Sequence, residues 1–214
     1  QVGPYKLGKD DSEYFQAWNL GKKSVTLDMK SAEGRRQFEV LVKTADCVVN
    51  NLRGTQPAKL GIDYASLAPL KPAIVCLHIS AYGRANANQA NSRADWPGYD
   101  FLMQAEAGLM ELTGEPDGPP TRVGVSLIDS MSGLTGIVGL LACLLRARTT
   151  GRGGARESRL CGGARLQLQH LDLMPGGHQR AGRAVGQTHH ACHHLALFGL
   201  DHAALMRLGQ QGMH

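Results

Sequence analysis

An apolar run, VGVSLI, ends at residue 129 in a carboxylate, followed by two serines and a glycine (DSMSG) before a second apolar run begins. Two kinds of chemistry suit Asp129 in that setting. As the residue ahead of a helical run it is a preferred helix N-cap, its side-chain oxygen accepting from the first free N–H groups. As a carboxylate held at a strand-to-helix corner, among small residues and partly shielded from water, it is placed to attack a carbonyl carbon. The two roles are compatible, and the local residues leave both open. A second constellation is HHACHH at residues 189–194, where paired imidazoles could ligate a metal ion. The residues around it show no periodicity able to hold such ligands in geometry, so no metal site is expected there.

The elements that must position Asp129 belong to an α/β protein. Residues 24–28 alternate like a short strand, and Ser31 is placed to cap a following helix in which Phe38, Leu41 and Val42 recur at helical spacing. Residues 47–50 form a short apolar strand. A helix over 62–70 leads through Pro72 into residues 74–80, a continuous apolar run typical of a sheet buried on both faces. Strand, helix and strand in that order imply right-handed crossovers and a parallel sheet. Residues 83–97 read as a loop whose NANQANS patch is an exposed excursion that packs against nothing. A helix is expected over 100–112, then the turn-rich GEPDGPP. Beyond Asp129, GLTGIVGLLACLLRA reads as a buried helix with small residues along it and arginines suiting the negative end of its dipole.

After Gly154 this pattern is lost. The remaining residues hold no lysine, one aromatic residue (Phe198) and eight of the nine histidines. Few large apolar residues and weak periodicity argue against a packed core, so 155–214 is expected to be an aberrant or irregular tail after a partial domain over 1–154.

The formal charge of +5 is not concentrated. Six arginines face three acids from Ala155 onward, leaving 17 basic against 15 acidic residues before it, and no basic stripe with interleaved aromatics marks a nucleic-acid surface. The longest apolar stretch, 134–145, is interrupted by glycines and too short to span a bilayer, so no membrane partner is expected. The first residues, QVGPYKLGKDD, carry no basic-then-apolar secretory pattern. Cys47, Cys76, Cys143, Cys161 and Cys192 lack C-x-x-C spacing and read as reduced residues. A cytoplasmic address is the resulting expectation. Neither G-x-G-x-x-G nor G-x-x-x-x-G-K-[ST] is present, which argues against an unrelated nucleotide-binding domain.

Five blocks in series carry a more specific signal: NLGKKSVTLDMKSAEGR, ADCVVNNLRGTQPAKLGIDY, IVCLHISAYG, PGYDFLMQAEAGLMELTGEPDGPP and VGVSLIDSMSGLTGIVGLLACLLRARTTGRG. Together, over Asn19 to Gly153, they resemble the class III coenzyme-A transferases, a family that includes formyl-CoA and carnitine-type CoA transferases and the α-methylacyl-CoA racemases. The resemblance implies part of a Rossmann-like large domain, and for the full-length protein an interlocked homodimer. It implies an acyl-CoA and a carboxylic acid as substrates, with no permanently bound cofactor.

By the same resemblance the nucleophile falls on Asp129, forming an aspartyl-acyl anhydride and then an aspartyl-CoA thioester. Leu27, Asp28, Met29 and Lys30 match a segment lining the CoA site; read alone, they are a strand end and a solvated lysine. Asn51, Leu52 and Arg53 match a turn beside CoA, otherwise an ordinary polar loop. Lys59 stands where the family commonly has an arginine near the CoA phosphates, keeping the charge without the bidentate fork. Pro97, Gly98, Tyr99 and Asp100 match the block facing the thioester. Racemase members typically carry histidine where this chain has Tyr99; tyrosine, with an ordinary pKa of about 10, is a poor base at neutral pH. Transferase chemistry is therefore expected over a racemase-like isomerase. A truncated, non-catalytic remnant of the family is the other alternative. The family's glycine-rich oxyanion loop would fall beyond Gly154, where no match is found.

A shift of reading frame close to Gly153 would account for the abrupt change in composition. Translating the nucleotide sequence in its other two frames is expected to restore alternating apolar strands and acidic residues after position 154; if neither frame does so, a frameshift is excluded.

Overall fold

Among the described residues, six strands and six α-helices make up the fold. The computed structural model describes residues 7–8, 11–84 and 91–161, and the backbone of two further strands at 194–198 and 203–208. In chain order the elements are α1 (Glu13–Asn19), β1 (Lys23–Leu27), α2 (Ala32–Thr44), β2 (Cys47–Asn50), α3 (Gln56–Lys59), α4 (Tyr64–Leu67) and β3 (Val75–Ser80). Then follow α5 (Asp100–Glu106), a 3₁₀ turn (Leu109–Leu112), α6 (Leu127–Thr150), β4 (Gly154–Arg159), β5 (His194–Phe198) and β6 (Ala203–Leu208).

The sheet order is β1-β6-β5-β2-β3-β4. β2, β3 and β4 form the expected parallel sheet, with Cys47 opposite Val75 and Val75 opposite Gly154. β1 is parallel to β6, whereas β5 runs antiparallel to both β2 and β6, so β1 and β2 are not neighbours. Strand β3 is the centre of the parallel part. Its residues are buried except for the half-buried Ile79, as a strand covered on both faces requires.

Two layers cover it. On one side α2 lays down Phe38 and Val42, which with Ile62, Leu67 and Ile74 form a fully buried cluster. On the other, Leu140 and Ala147 of α6 pack on Cys47, Val75 and Leu77. Ser31 caps α2 as expected, its Oγ accepting from the Gly34 N–H at 3.0 Å. The expected 62–70 helix shortens to α4, capped by Asp63, and Pro57 starts the unforeseen α3. The expected 100–112 helix breaks at Gly108, whose φ of 78° an α-helix cannot contain.

Three further expectations are corrected. Residues 123–126 do not form a strand; α6 begins directly at Leu127, with Ser126 at the N-cap. The helix is not buried throughout. Ile128, Ser132, Gly136, Leu140 and Ala147 face inward, while Leu134, Val138, Leu141 and Leu145 are exposed. Small inward residues permit close approach: Gly136 lies where a methyl group would press on Leu77. Helical structure runs for 24 residues rather than stopping with the apolar stretch, and among the described residues α6 alone is long and apolar enough to cross a membrane by length and composition. Lastly, the α/β pattern passes Gly154. β4 pairs along β3 through its backbone, and Ser158 turns inward to donate its hydroxyl to Ser132 O at 2.8 Å. A strand written GARESR carries no apolar alternation, because backbone pairing to a buried neighbour and one inward serine hold it. Residues 162–193, which carry most of the expected tail, lie outside the described residues.

Gly34 has a steric duty at the head of α2. A Cβ there would collide with the backbone carbonyl of Asp28. Alanine is the better helix former by about 1 kcal/mol, yet Gly34→Ala is expected to lower stability by a net of about 1–3 kcal/mol, read from urea unfolding of the full-length protein.

Candidate active site

The first turn of α6 places Asp129 three residues beyond the N-cap. Ser126 makes no side-chain capping bond, so the N–H groups of this turn need another partner. One comes from α5: Asp129 donates its backbone N–H to Asp100 Oδ2 at 3.0 Å. Asp129 is therefore not the N-cap; it is a capped residue, and its own carboxylate makes no hydrogen bond to a described residue.

Asp100 is buried at 8% exposure and its other oxygen accepts from Gln104 Nε2. Gln104, one helical turn on, is wholly buried. Its Oε1 accepts from Val123 N–H at 3.0 Å, and its Nε2 reaches Val125 O at 3.4 Å. One amide thus ties α5 to the segment entering α6. Beside this network lies a cavity of about 80 Å³ lined by Asp100, Phe101, Arg122, Gly124, Val125 and Ser126.

Burial first, and the neighbouring negative charge of Asp100 second, raise the Asp129 carboxyl to about 6. The residue is nevertheless exposed at its surface. Both hold, because accessibility is decided at the outer edge of the side chain whereas the cost of its charge depends on all the poorly polarisable matter around it. Exposure leaves the group reachable, and crowding makes it more basic than an ordinary aspartate.

Of the other residues singled out from the sequence, three groups leave the carboxyl ends of parallel strands, where open α/β sheets collect ligands. After β1, Leu27 is a core residue, Asp28 Oδ1 accepts from the Lys30 N–H at 3.0 Å to shape the turn, Met29 packs on the core, and Lys30 is exposed. After β2, Asn51 and Arg53 are exposed and Leu52 is buried, while Lys59 is exposed at the end of α3. After β3, Pro97 is exposed and Gly98 passes so close to Ala81 that a side chain would collide with it. Tyr99 stacks on Phe101 with ring centroids 5.7 Å apart. Asp100 is buried with both oxygens engaged, and it lines the small cavity beside the head of α6.

Sequence reading missed several residues here. Gln104 could have been noticed as a lone amide one turn from Asp100 in an otherwise apolar helix. Asn50 donates to His78 Nδ1 at 2.8 Å across β2 and β3; burial, then the Arg84 cation, lowers His78 to about 4 and keeps it neutral. The loop after β3 is clamped by Glu106, which accepts from Tyr82 Oη and from Arg93 Nη2, both at 2.6 Å. Arg93 lies over the Tyr82 ring at 3.7 Å. Asn91, within the NANQANS patch, donates to Tyr82 O and Gly83 O at 3.0 and 3.1 Å, so this end of the patch does pack; residues 85–90 lie outside the described residues. Among the described residues no group of three His, Cys, Asp or Glu side chains is arranged to hold a metal ion; His189 to His193 lie outside them.

A carboxyl raised from 3.8 to about 6 binds its proton more tightly folded than unfolded. Its contribution to stability therefore falls as pH rises through that window. Asp129→Asn is expected to melt above wild type at pH 7 to 8, with the difference fading below about pH 4; a pH series of thermal melts measures it.

Comparison with known proteins bears on the family and the fold. The model of CoA-transferase family III matches residues 1–201. Succinate–glutarate CoA-transferase of Agrobacterium fabrum is 38% identical over 140 residues, 65% of this chain and 34% of that protein. Acetyl-CoA:oxalate CoA-transferase of Acetobacter aceti is 35% identical over 188 residues, 87% of this chain and 46% of that protein. A CAIB/BAIF family protein from Brucella suis superposes with a TM-score of 0.70 at 31% identity, covering 81% of this chain and 45% of that one. The chain spans less than half the length of these relatives. On the family match, with the α/β fold it predicts, this chain belongs to CoA-transferase family III.

Proposed function

We propose that the whole protein moves coenzyme A from an acyl-CoA to a carboxylic acid through a covalent adduct on Asp129. The observation that carries this reading is the state of that residue: a carboxylate at the head of α6, reachable from solvent, with no hydrogen bond to a described side chain, and more basic than usual. At neutral pH such a group is still mostly ionised, and its raised basicity favours attack on a carbonyl carbon.

Carboxylate oxygen adds to the donor thioester carbonyl, the carbon–sulfur bond breaks, and CoA leaves as thiolate with a mixed anhydride on Asp129. The thiolate then attacks the aspartyl carbonyl, releasing the donor's carboxylate and leaving an aspartyl-CoA thioester. An acceptor carboxylate displaces the thiolate to give a second anhydride, and the thiolate takes the acceptor acyl group, freeing Asp129. Each exchange joins activated acyl groups of similar energy, so no nucleotide is consumed. Water must be kept from the anhydride. The turns after β1 and β2, with Lys30 and Arg53 exposed on them, and the exposed Lys59 at the end of α3 supply cations for the CoA phosphates. In this reading the full-length protein acts in the cytoplasm as an interlocked homodimer. The named acids of its relatives, succinate, glutarate and oxalate, set the first acceptors to try.

In the full-length protein, Asp129→Ala is expected to lower CoA transfer from succinyl-CoA to glutarate or oxalate by more than about 10³-fold, with a hydroxamate forming on Asp129 when wild type is mixed with succinyl-CoA and hydroxylamine. Full transfer by the variant would refute the covalent route, and a wild type inert toward every donor would indicate a non-catalytic remnant.

A further inference from the structure

Asp100 has a task different from meeting substrate. A helix start lacks partners for its first N–H groups, and the residue before the helix ordinarily supplies one. Ser126 supplies none; the acceptor arrives from 29 positions back in the chain, as Asp100 Oδ2 on the N–H of Asp129. The Asp100 carboxylate is itself held by Gln104, whose amide also grips Val123 and Val125. Asp100 and Gln104 are both buried, and every polar atom of the two side chains is used.

We propose that Asp100 and Gln104 form a positioning unit for the nucleophile: Asp100 caps α6 across the chain at Asp129 itself, and Gln104 locks that cap and the entering segment. Two consequences follow from the geometry. The bond fixes the Asp129 backbone, so the side chain leaves the helix from one place. The cap's negative charge further offsets the positive end of the helix dipole, which would otherwise make Asp129 a weaker base. The charged group whose field reaches the Asp129 carboxyl is Asp100 from α5; Arg122 of the entering segment shares the small cavity with Asp100.

This inference rests on the transferase reading for its catalytic readout but not for its structural one. Two measurements on the full-length protein separate them. Amide hydrogen exchange across 126–132 is expected to quicken about tenfold or more in Asp100→Ala and Gln104→Met, and to return toward wild type in Asp100→Asn, whose amide oxygen can still accept. The rate of hydroxamate formation with succinyl-CoA, followed against pH at a fixed concentration of unprotonated hydroxylamine, is expected to rise through about 6 in wild type. In Asp100→Asn its midpoint should move down by about one unit, because the geometry is kept and the charge is lost. Unchanged exchange in both Asp100→Ala and Gln104→Met, or an unmoved midpoint in Asp100→Asn, overturns the proposal. If Asp129→Asn still forms the hydroxamate, the transferase reading fails while the exchange result continues to decide the positioning role.

Discussion

The head of α6 depends on one charge-assisted hydrogen bond, from the Asp129 N–H to Asp100. Helix starts cannot be buried with idle donors, and this one has no local cap. The acceptor comes from elsewhere in the fold, so α5 and α6 are held together at the point where the Asp129 carboxylate sits. Gly98 against Ala81 and the Glu106 clamp on Tyr82 and Arg93 then tie α5 to the end of β3. Asp129 is thus referenced to β3, the central strand of the parallel part of the sheet, through a short series of contacts.

The same arrangement explains why two neighbouring aspartates stand in different electrostatic states. Asp100 has lost solvent but gained donors for both oxygens, so neither oxygen is left unengaged. Asp129 lies in crowded ground with a like charge nearby and no donor among the described side chains, which makes its charge costly and its oxygens available. Two residues of one type differ in role because their hydrogen bonds differ, and those bonds are set by which helix turn each occupies.

Helix α6 carries a second constraint. Its inner face is narrowed by Ser132 and Gly136 so that it can lie close on β3 and β4, whereas Leu134, Val138, Leu141 and Leu145 point away from that sheet. Large apolar residues in a helix are therefore no guide to its buried side here; the small ones mark it. For the same reason β4 escaped recognition, since a polar strand held by backbone pairing and by Ser158 has no apolar rhythm to read.

Periodicity within single segments made β1, α2, β2 and β3 legible, along with the capping Ser31, because each depends on residues two to four apart. The order of the motif blocks likewise pointed to the family and to Asp129. The sequence could not reveal the direction in which Asp100 faces, the part played by Gln104, the antiparallel entry of β5, or the start of α6 at a serine that does not cap. Each of these joins residues far apart in the chain, and nothing in a local pattern encodes which distant donor will be left without an acceptor. Residue types determined that a carboxylate would stand before an apolar helix; packing α5 against α6 decided which carboxylate serves as a cap and which is left without a donor among the described side chains.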